Sequence, residues 1–356
     1  MLTLLVALPL LLAAEPTLKA SVDQAWTRPP EEGGGHGVIL IAHHGETLYR
    51  NTAGFADRDR EEPIAEDTPF LIASLTKSFT ATLVLQLVEE ETLALTDSVH
   101  EHLPWYRADT GSRVTIHHLL SHTSGIPNYL ADVDYFGKGS QIPYERRSFV
   151  ETFCSGDLEF EPGSQYAYSP SGYVILGEIL ETVTNQSLAQ MFRERIGTPL
   201  NLNATGFAPR HDDIPELARG HAHARSGYRP ARPFELSTAG ASGAMYSTVD
   251  DLLTWYRASA DGTFLSNASR QEMYTAHREE YGYGWFISSR TVAGRELRIH
   301  HHGGRINGFN SAILHVPQNA LFIIILQNVE QFSSLTMGFE MLELLYTADP
   351  DTTSEE

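Results

Sequence analysis

Ala73-Ser74-Leu75-Thr76-Lys77 sets a hydroxyl and an amine three residues apart, and on a helix residues i and i+3 share a face. A lysine in that place can take a proton from the serine if its surroundings tune it toward neutrality. The spacing alone weighs little, because a chain of this length shows one Ser-x-x-Lys by accident about once. The lysine background adds weight. Only Lys19, Lys77 and Lys138 among the 25 basic residues are lysine, and the rest are arginine, which keeps its charge in a protein. A lysine placed here fits a proton acceptor; an exposed Ser and Lys in a first helical turn is the alternative that the motif leaves open.

Two more segments carry chemistry. Phe160-Glu161-Pro162-Gly163 leads into Tyr166-Ala167-Tyr168-Ser169-Pro170-Ser171-Gly172-Tyr173, and the run from Arg298 to Phe309 contains His300-His301-His302-Gly303-Gly304-Arg305-Ile306-Asn307. Other candidates are weaker. Gly240-Ala241-Ser242-Gly243-Ala244 is an incomplete G-x-S-x-G elbow, without the strand-to-helix pattern that an elbow needs or an Asp/His order to support it. In an extended segment His300 and His302 share a face, but no carboxylate motif completes a ligand set, so no metal is expected. His122 reads as a structural histidine bonding loop backbone, and Cys154 as a small packing residue. Tyr135, Tyr166 and Trp285 are either cleft-lining or core aromatics.

The elements that must position these residues follow from pattern. Val38-Ile39-Leu40-Ile41-Ala42 reads as a buried strand, with Glu46-Thr47-Leu48-Tyr49 its hairpin partner across His44-Gly45. Ser74 to about Glu90 reads as a buried helix with Ser74 in its first turn. Leu321 to Leu326 is a further buried strand, and Leu335, Phe339, Leu342 and Leu345 mark one face of a closing helix. Between them, short helical patterns are broken by Pro104, Gly111, Pro127, Gly137, Pro162, Gly163 and Gly172. The expected fold is therefore α+β, an antiparallel sheet built from both chain ends and flanked by helices, with a helical domain beside it and the site in the cleft between. Residues 15–95 with 236–348 are expected to form the sheet domain, 96–235 the helical domain, and 349–356 a disordered tail.

With 356 residues, 42% apolar and 20% charged, the composition is that of a folded globular chain. A net charge of -20 repels phosphate backbones and anionic lipid, which argues against a nucleic-acid partner. One cysteine excludes an intrachain disulfide and Cys-based zinc cages. Leu2 to Ala14 is uncharged, apolar, too short to span a bilayer and followed by Glu15-Pro16, so residues 1–14 are expected to be a signal peptide. The mature chain is then expected to be periplasmic or secreted, without a membrane anchor and as a monomer.

Taken together, these segments resemble the serine β-lactamase and penicillin-binding-protein family, in the branch of class C β-lactamases, D-alanyl-D-alanine carboxypeptidases and esterases. Supporting landmarks are Thr68-Pro69-Phe70-Leu71-Ile72-Ala73, Ile116 to Gly125, Met245-Tyr246-Ser247-Thr248 and Tyr283-Gly284-Trp285. The resemblance runs along nearly the whole mature chain, and the fold it implies is the β-lactamase/transpeptidase one. It implies Ser74 as the acylated nucleophile and Lys77 as its activator. Tyr168 matches the tyrosine of the Tyr-x-Asn element, as phenolate base or as proton donor to the leaving group, and Lys77⁺ beside it is expected to ease its ionisation. His302-Gly303-Gly304 matches the Lys-Thr-Gly element with histidine for lysine; its glycines are expected to admit a substrate carbonyl to the strand. The backbone N–H groups of Ser74 and Arg305 match the oxyanion hole.

Pro170 stands where the family has the asparagine that helps hold a β-lactam's amide side chain. It lacks both a side-chain amide and a backbone N–H. With His302, it favours a serine hydrolase of small esters or amides, of esterase or D-amino-acid peptidase type, over a class C-like β-lactamase. A penicillin-binding sensor that is acylated without turnover is a further alternative. No cofactor is expected, and the partner is a small-molecule or peptide substrate.

Overall fold

Strand β1 (Gly37–His43) is buried at every position, so it needs cover on both faces, and its side chains divide accordingly. Val38, Leu40 and Ala42 join one core, Ile39 and Ile41 another. His44 and Gly45, both left-handed at φ 48° and 85°, turn the chain into β2 (Glu46–Thr52), as a two-residue hairpin requires. From the other chain end come β3 (Phe286–Val292), β4 (Arg295–Ile306), β5 (Phe309–Val316) and β6 (Leu321–Gln327). β6 pairs antiparallel with β1, Val38 opposite Leu326 and Ile41 opposite Ile323. The order β3-β4-β5-β6-β1-β2 thus closes both ends of the chain into one six-stranded antiparallel sheet. The computed structural model describes residues 16–347 apart from 30–31, 133, 136–138, 208–209 and 225–226; the expected leader and the expected tail lie outside the described residues.

The helices that position the site are α1 (Pro16–Thr27), α2 (Thr76–Glu89), α3 (Ile116–Leu120), α4 (Arg146–Phe153), α5 (Pro170–Thr184), α6 (Val249–Asp261) and α7 (Ser334–Thr347). α1 and α7 cover one face of the sheet, where Val22, Trp26, Met341 and Leu345 meet Ile39 and Ile323. α2 and α6 lie on the other face with Val38, Leu40 and Ile324. α2 is buried from Thr76 to Leu85, so its hydroxyls must find partners inside. Ser78 donates to the Leu75 carbonyl at 2.8 Å, Thr82 to Ser78 at 3.0 Å and Thr80 to Ala241 at 2.7 Å. α6 starts on the Thr248 hydroxyl, which accepts the Asp251 N–H, and stops at Gly262 with φ 92°.

The strands Gly206–Phe207, His221–Ala224 and Gly227–Pro230 depart from the helical expectation. Gly206–Phe207 pairs with Met245–Ser247, which pairs with Phe70–Leu71, and His221–Ala224 forms a hairpin with Gly227–Pro230. Backbone bonds from Ala218 to Pro69 and from Arg219 to Ala56 tie this stretch to the sheet side. Conversely Leu236–Ala239 and Gly240–Ser242, expected with the sheet, pack on α5. Two- to four-residue strands carry no readable period, so only their long-range partners place them.

Candidate active site

Ser74 sits in a single 3-10 turn, Ala73–Leu75, that runs into the N-terminus of α2. Ala73 just before it is left-handed at φ 47°, a conformation that costs a non-glycine residue about 1–3 kcal/mol and lasts only where its surroundings enforce it. Here they do. The Ile72 carbonyl accepts the Ser311 hydroxyl of β5 at 2.7 Å, the Ile72 N–H donates to Met245, and Thr76 Oγ1 accepts the Met245 N–H at 3.2 Å. The turn is thus clamped between the main sheet and the short Met245–Ser247 strand.

One turn along α2, Lys77 Nζ lies 3.0 Å from Ser74 Oγ and donates to the Ser242 carbonyl at 2.7 Å. Lys77 is fully buried, and no carboxylate pairs with it among the described residues. Burial therefore pulls its pKa down to about 7, so a large neutral fraction exists at physiological pH. From the opposite side the Tyr168 hydroxyl donates to Ser74 Oγ at 3.0 Å, and Lys77 Nζ lies 5.1 Å from the Tyr168 ring centroid. The expected phenolate character is not favoured. Burial raises the Tyr168 phenol above the usual tyrosine range, with the Ser74 hydrogen bond only partly offsetting it. In this trio burial loosens the proton on the amine and tightens the one on the phenol.

His302, the histidine in the Lys-Thr-Gly place, is buried on β4. Its Nδ1 lies 2.7 Å from the carbonyl of Gly303, an acceptor, so Nδ1 carries the hydrogen and Nε2 accepts from the Tyr281 hydroxyl at 3.2 Å. Both nitrogens are engaged away from Ser74. Burial first, then the Lys77 charge, lower its pKa to about 3, so a neutral ring stands where the family has a cation. Strand alternation separates the glycines. A side chain at Gly304 would run into Ser311 Oγ and the Ile72 carbonyl, whereas one at Gly303 would point to Leu335 of α7, away from the cleft. Gly304 is thus the position that lets β4 approach the Ser74 turn, and Gly303 faces Leu335 on the other side of the sheet.

Ser74, Lys77, Pro170 and Arg305 line one cleft of about 620 Å³ together with Tyr129, Arg229, Arg232 and Asn307. Pro170 is the first residue of α5, where its missing N–H has no helical partner to lose. Ser242 is no nucleophile, since its hydroxyl donates to Ala239 at 2.6 Å. Its carbonyl is nonetheless a site group, and no side-chain pattern could have shown that. Tyr135 and Trp285 are core residues: the Tyr135 hydroxyl bonds Thr238, and the Trp285 ring packs on Tyr256 and Tyr274. Tyr281 and His122 join the site unexpectedly. His122 is packed 4.3 Å from the Tyr168 ring and 4.6 Å from Tyr281. His122 lies inside the Ile116 to Gly125 landmark and Tyr281 just before Tyr283-Gly284-Trp285, but neither has a spacing that announces chemistry.

Comparison with known proteins matches this architecture. The β-lactamase family profile fits residues 22–342. Esterase EstB of Burkholderia gladioli is 36% identical over 287 residues, covering 70% of this chain and 72% of that protein. EstCE1, described as a hydrolase with promiscuous acyltransferase activity, superposes with a TM-score of 0.80 at 26% identity, covering 94% of this chain and all of the other. A D-stereospecific amidohydrolase from Streptomyces sp. superposes with a TM-score of 0.78 at 27% identity, covering 90% of this chain and 97% of that one. A profile that spans nearly the whole described chain, on a sheet, helices and cleft of this form, places the chain in the β-lactamase family of serine hydrolases.

Proposed function

We propose that this chain is an exported serine hydrolase that cleaves small esters or amides through an acyl-enzyme on Ser74. The observation that carries the reading is the buried, uncompensated Lys77 amine 3.0 Å from a Ser74 hydroxyl that also lies 3.0 Å from Tyr168. Neutral Lys77 takes the Ser74 proton as Oγ bonds to the substrate carbonyl carbon. The oxyanion then forms against the backbone N–H groups of Ser74 and Arg305. Tyr168 delivers its proton to the departing alkoxide or amine as the bond to the acyl carbon breaks, and Lys77⁺ returns a proton to the phenolate. Water repeats the sequence in reverse roles and frees Ser74. The apolar run Leu2 to Ala14 supports export.

The esterase or D-amino-acid amidohydrolase character is supported by the named relatives and by Pro170, which presents no amide to a β-lactam side chain. The test is intact-mass spectrometry after brief exposure to a short-chain p-nitrophenyl ester and, separately, to a penicillin. An ester-derived acyl group on Ser74 that clears within the assay, and a slower penicillin adduct, are expected. No adduct on Ser74 from either compound overturns the reading, and an adduct that never clears makes the protein an acylated sensor.

A further inference from the structure

We propose that His122 is the positioning residue for Tyr168, holding the phenol against Ser74 through acylation and deacylation. The inference rests on the acyl-transfer reading above and adds a residue to it. Tyr168 lies outside any helix or strand, on the loop that precedes α5, and α5 begins without a side-chain cap from Ser169. Something else must fix the loop. The His122 carbonyl accepts the Ala167 N–H at 3.0 Å, and His122 Nδ1 accepts the Ser169 N–H at 3.3 Å. The imidazole itself packs on the Tyr168 ring with centroids 4.3 Å apart. One residue therefore grips the backbone on both sides of Tyr168 as well as its ring.

Two features mark this as more than loop packing. His122 is left-handed at φ 56°, and its carbonyl and ring reach the Tyr168 segment together from that backbone shape. Because Nδ1 accepts, Nε2 carries the hydrogen, and this buried donor has no hydrogen-bond partner among the described residues. The ring is enclosed instead by Tyr168, Tyr173 and Tyr281. Burial first, then the nearby Lys77 charge, keeps it uncharged beside the proton-transfer pair, and the neutral His302 ring adds no charge of its own. A neutral, rigid wall suits a site in which the one mobile charge has to be Lys77.

The test is His122→Asn, which tolerates the left-handed backbone and keeps an acceptor near the Nδ1 position but removes the ring. Turnover of a p-nitrophenyl ester is expected to fall about 10- to 100-fold in kcat, within the range that a positioned proton donor supplies, with KM changed less than about twofold. In a double-mutant cycle, the His122→Asn loss is expected to vanish once Tyr168→Phe is present, because the hydroxyl that His122 positions is gone. His122→Phe, which keeps a ring and loses the acceptor, is the second variant and is expected to behave alike. Unchanged kcat in both variants, or losses additive with Tyr168→Phe, overturns the inference and leaves the acyl-enzyme reading standing. Absence of a Ser74 adduct in the parent protein overturns that reading first.

Discussion

At the residue scale the decisive group is Lys77, a buried amine with hydrogen bonds to Ser74 and the Ser242 carbonyl but no acidic partner among the described residues. With its neutral form as the proposed proton acceptor, kcat/KM for a neutral ester is expected to rise with pH through a midpoint near 7, read from a pH–rate profile. A flat profile across that range would remove Lys77 as the base. The same burial costs stability. The unfolded chain holds the lysine proton up to its ordinary pKa and the folded chain releases it near 7, so between these values the unfolded state binds more protons and stability rises with pH. Lys77→Met is expected to abolish turnover and raise the melting temperature, with the gain larger at about pH 6 than at about pH 9. A gain equal at both pH values would mean that the amine is not desolvated.

At the element scale the site depends on how closely β4 approaches the turn that carries Ser74. Gly304→Ala is expected to lower both kcat and melting temperature, because a methyl there overlaps Ser311 Oγ and the Ile72 carbonyl, whose mutual hydrogen bond clamps the turn. Gly303→Ala meets only Leu335, at 3.4 Å and beyond, and is expected to leave activity within about twofold. Equal effects from the two would contradict the strand alternation described for β4. Pro170 heads α5 and faces the cleft. Pro170→Asn is expected to cost less than about 1 kcal/mol, because a first helical position accepts either residue, and to speed acylation by a penicillin relative to an ester. A stopped-flow comparison of the two acylation rates checks it.

For the whole molecule, a net charge of -20 gives way locally to Arg229, Arg232 and Arg305 along the cleft, with Glu330 as its acidic member. An ester that carries a carboxylate is therefore expected to lose kcat/KM as salt rises from about 0.01 M to about 0.5 M, while a neutral ester changes little. Arg305→Gln is expected to flatten that slope. The same salt response for both esters would show that the overall negative charge dominates the cleft.

The long elements are legible in the amino-acid sequence because their information is local. A five-residue apolar run flanked by a His-Gly turn is a buried strand wherever it packs, and the stretch from Ser74 to Glu90, rich in Leu, Val, Ala and Phe without strand-like alternation and too long for a strand, reads as a buried helix. Helical spacing puts Ser74 and Lys77 on one face, and the family resemblance gives that pair its weight and supplies Tyr168 from 94 residues away. The rest depends on contacts between segments far apart in the chain. The Ser242 carbonyl, the His122 ring and the Tyr281 hydroxyl reach the site from separate segments, and none has a sequence period that aims it there. Charge states are decided the same way. Burial sets which of Lys77, Tyr168, His122 and His302 can hold a charge, and burial is a property of the packed molecule. Local pattern names the long helix and the strands and, with the resemblance, singles out the Ser74–Lys77 pair; packing between distant segments makes Lys77 the tuned amine, His302 a neutral neighbour and Gly304 the point of close approach.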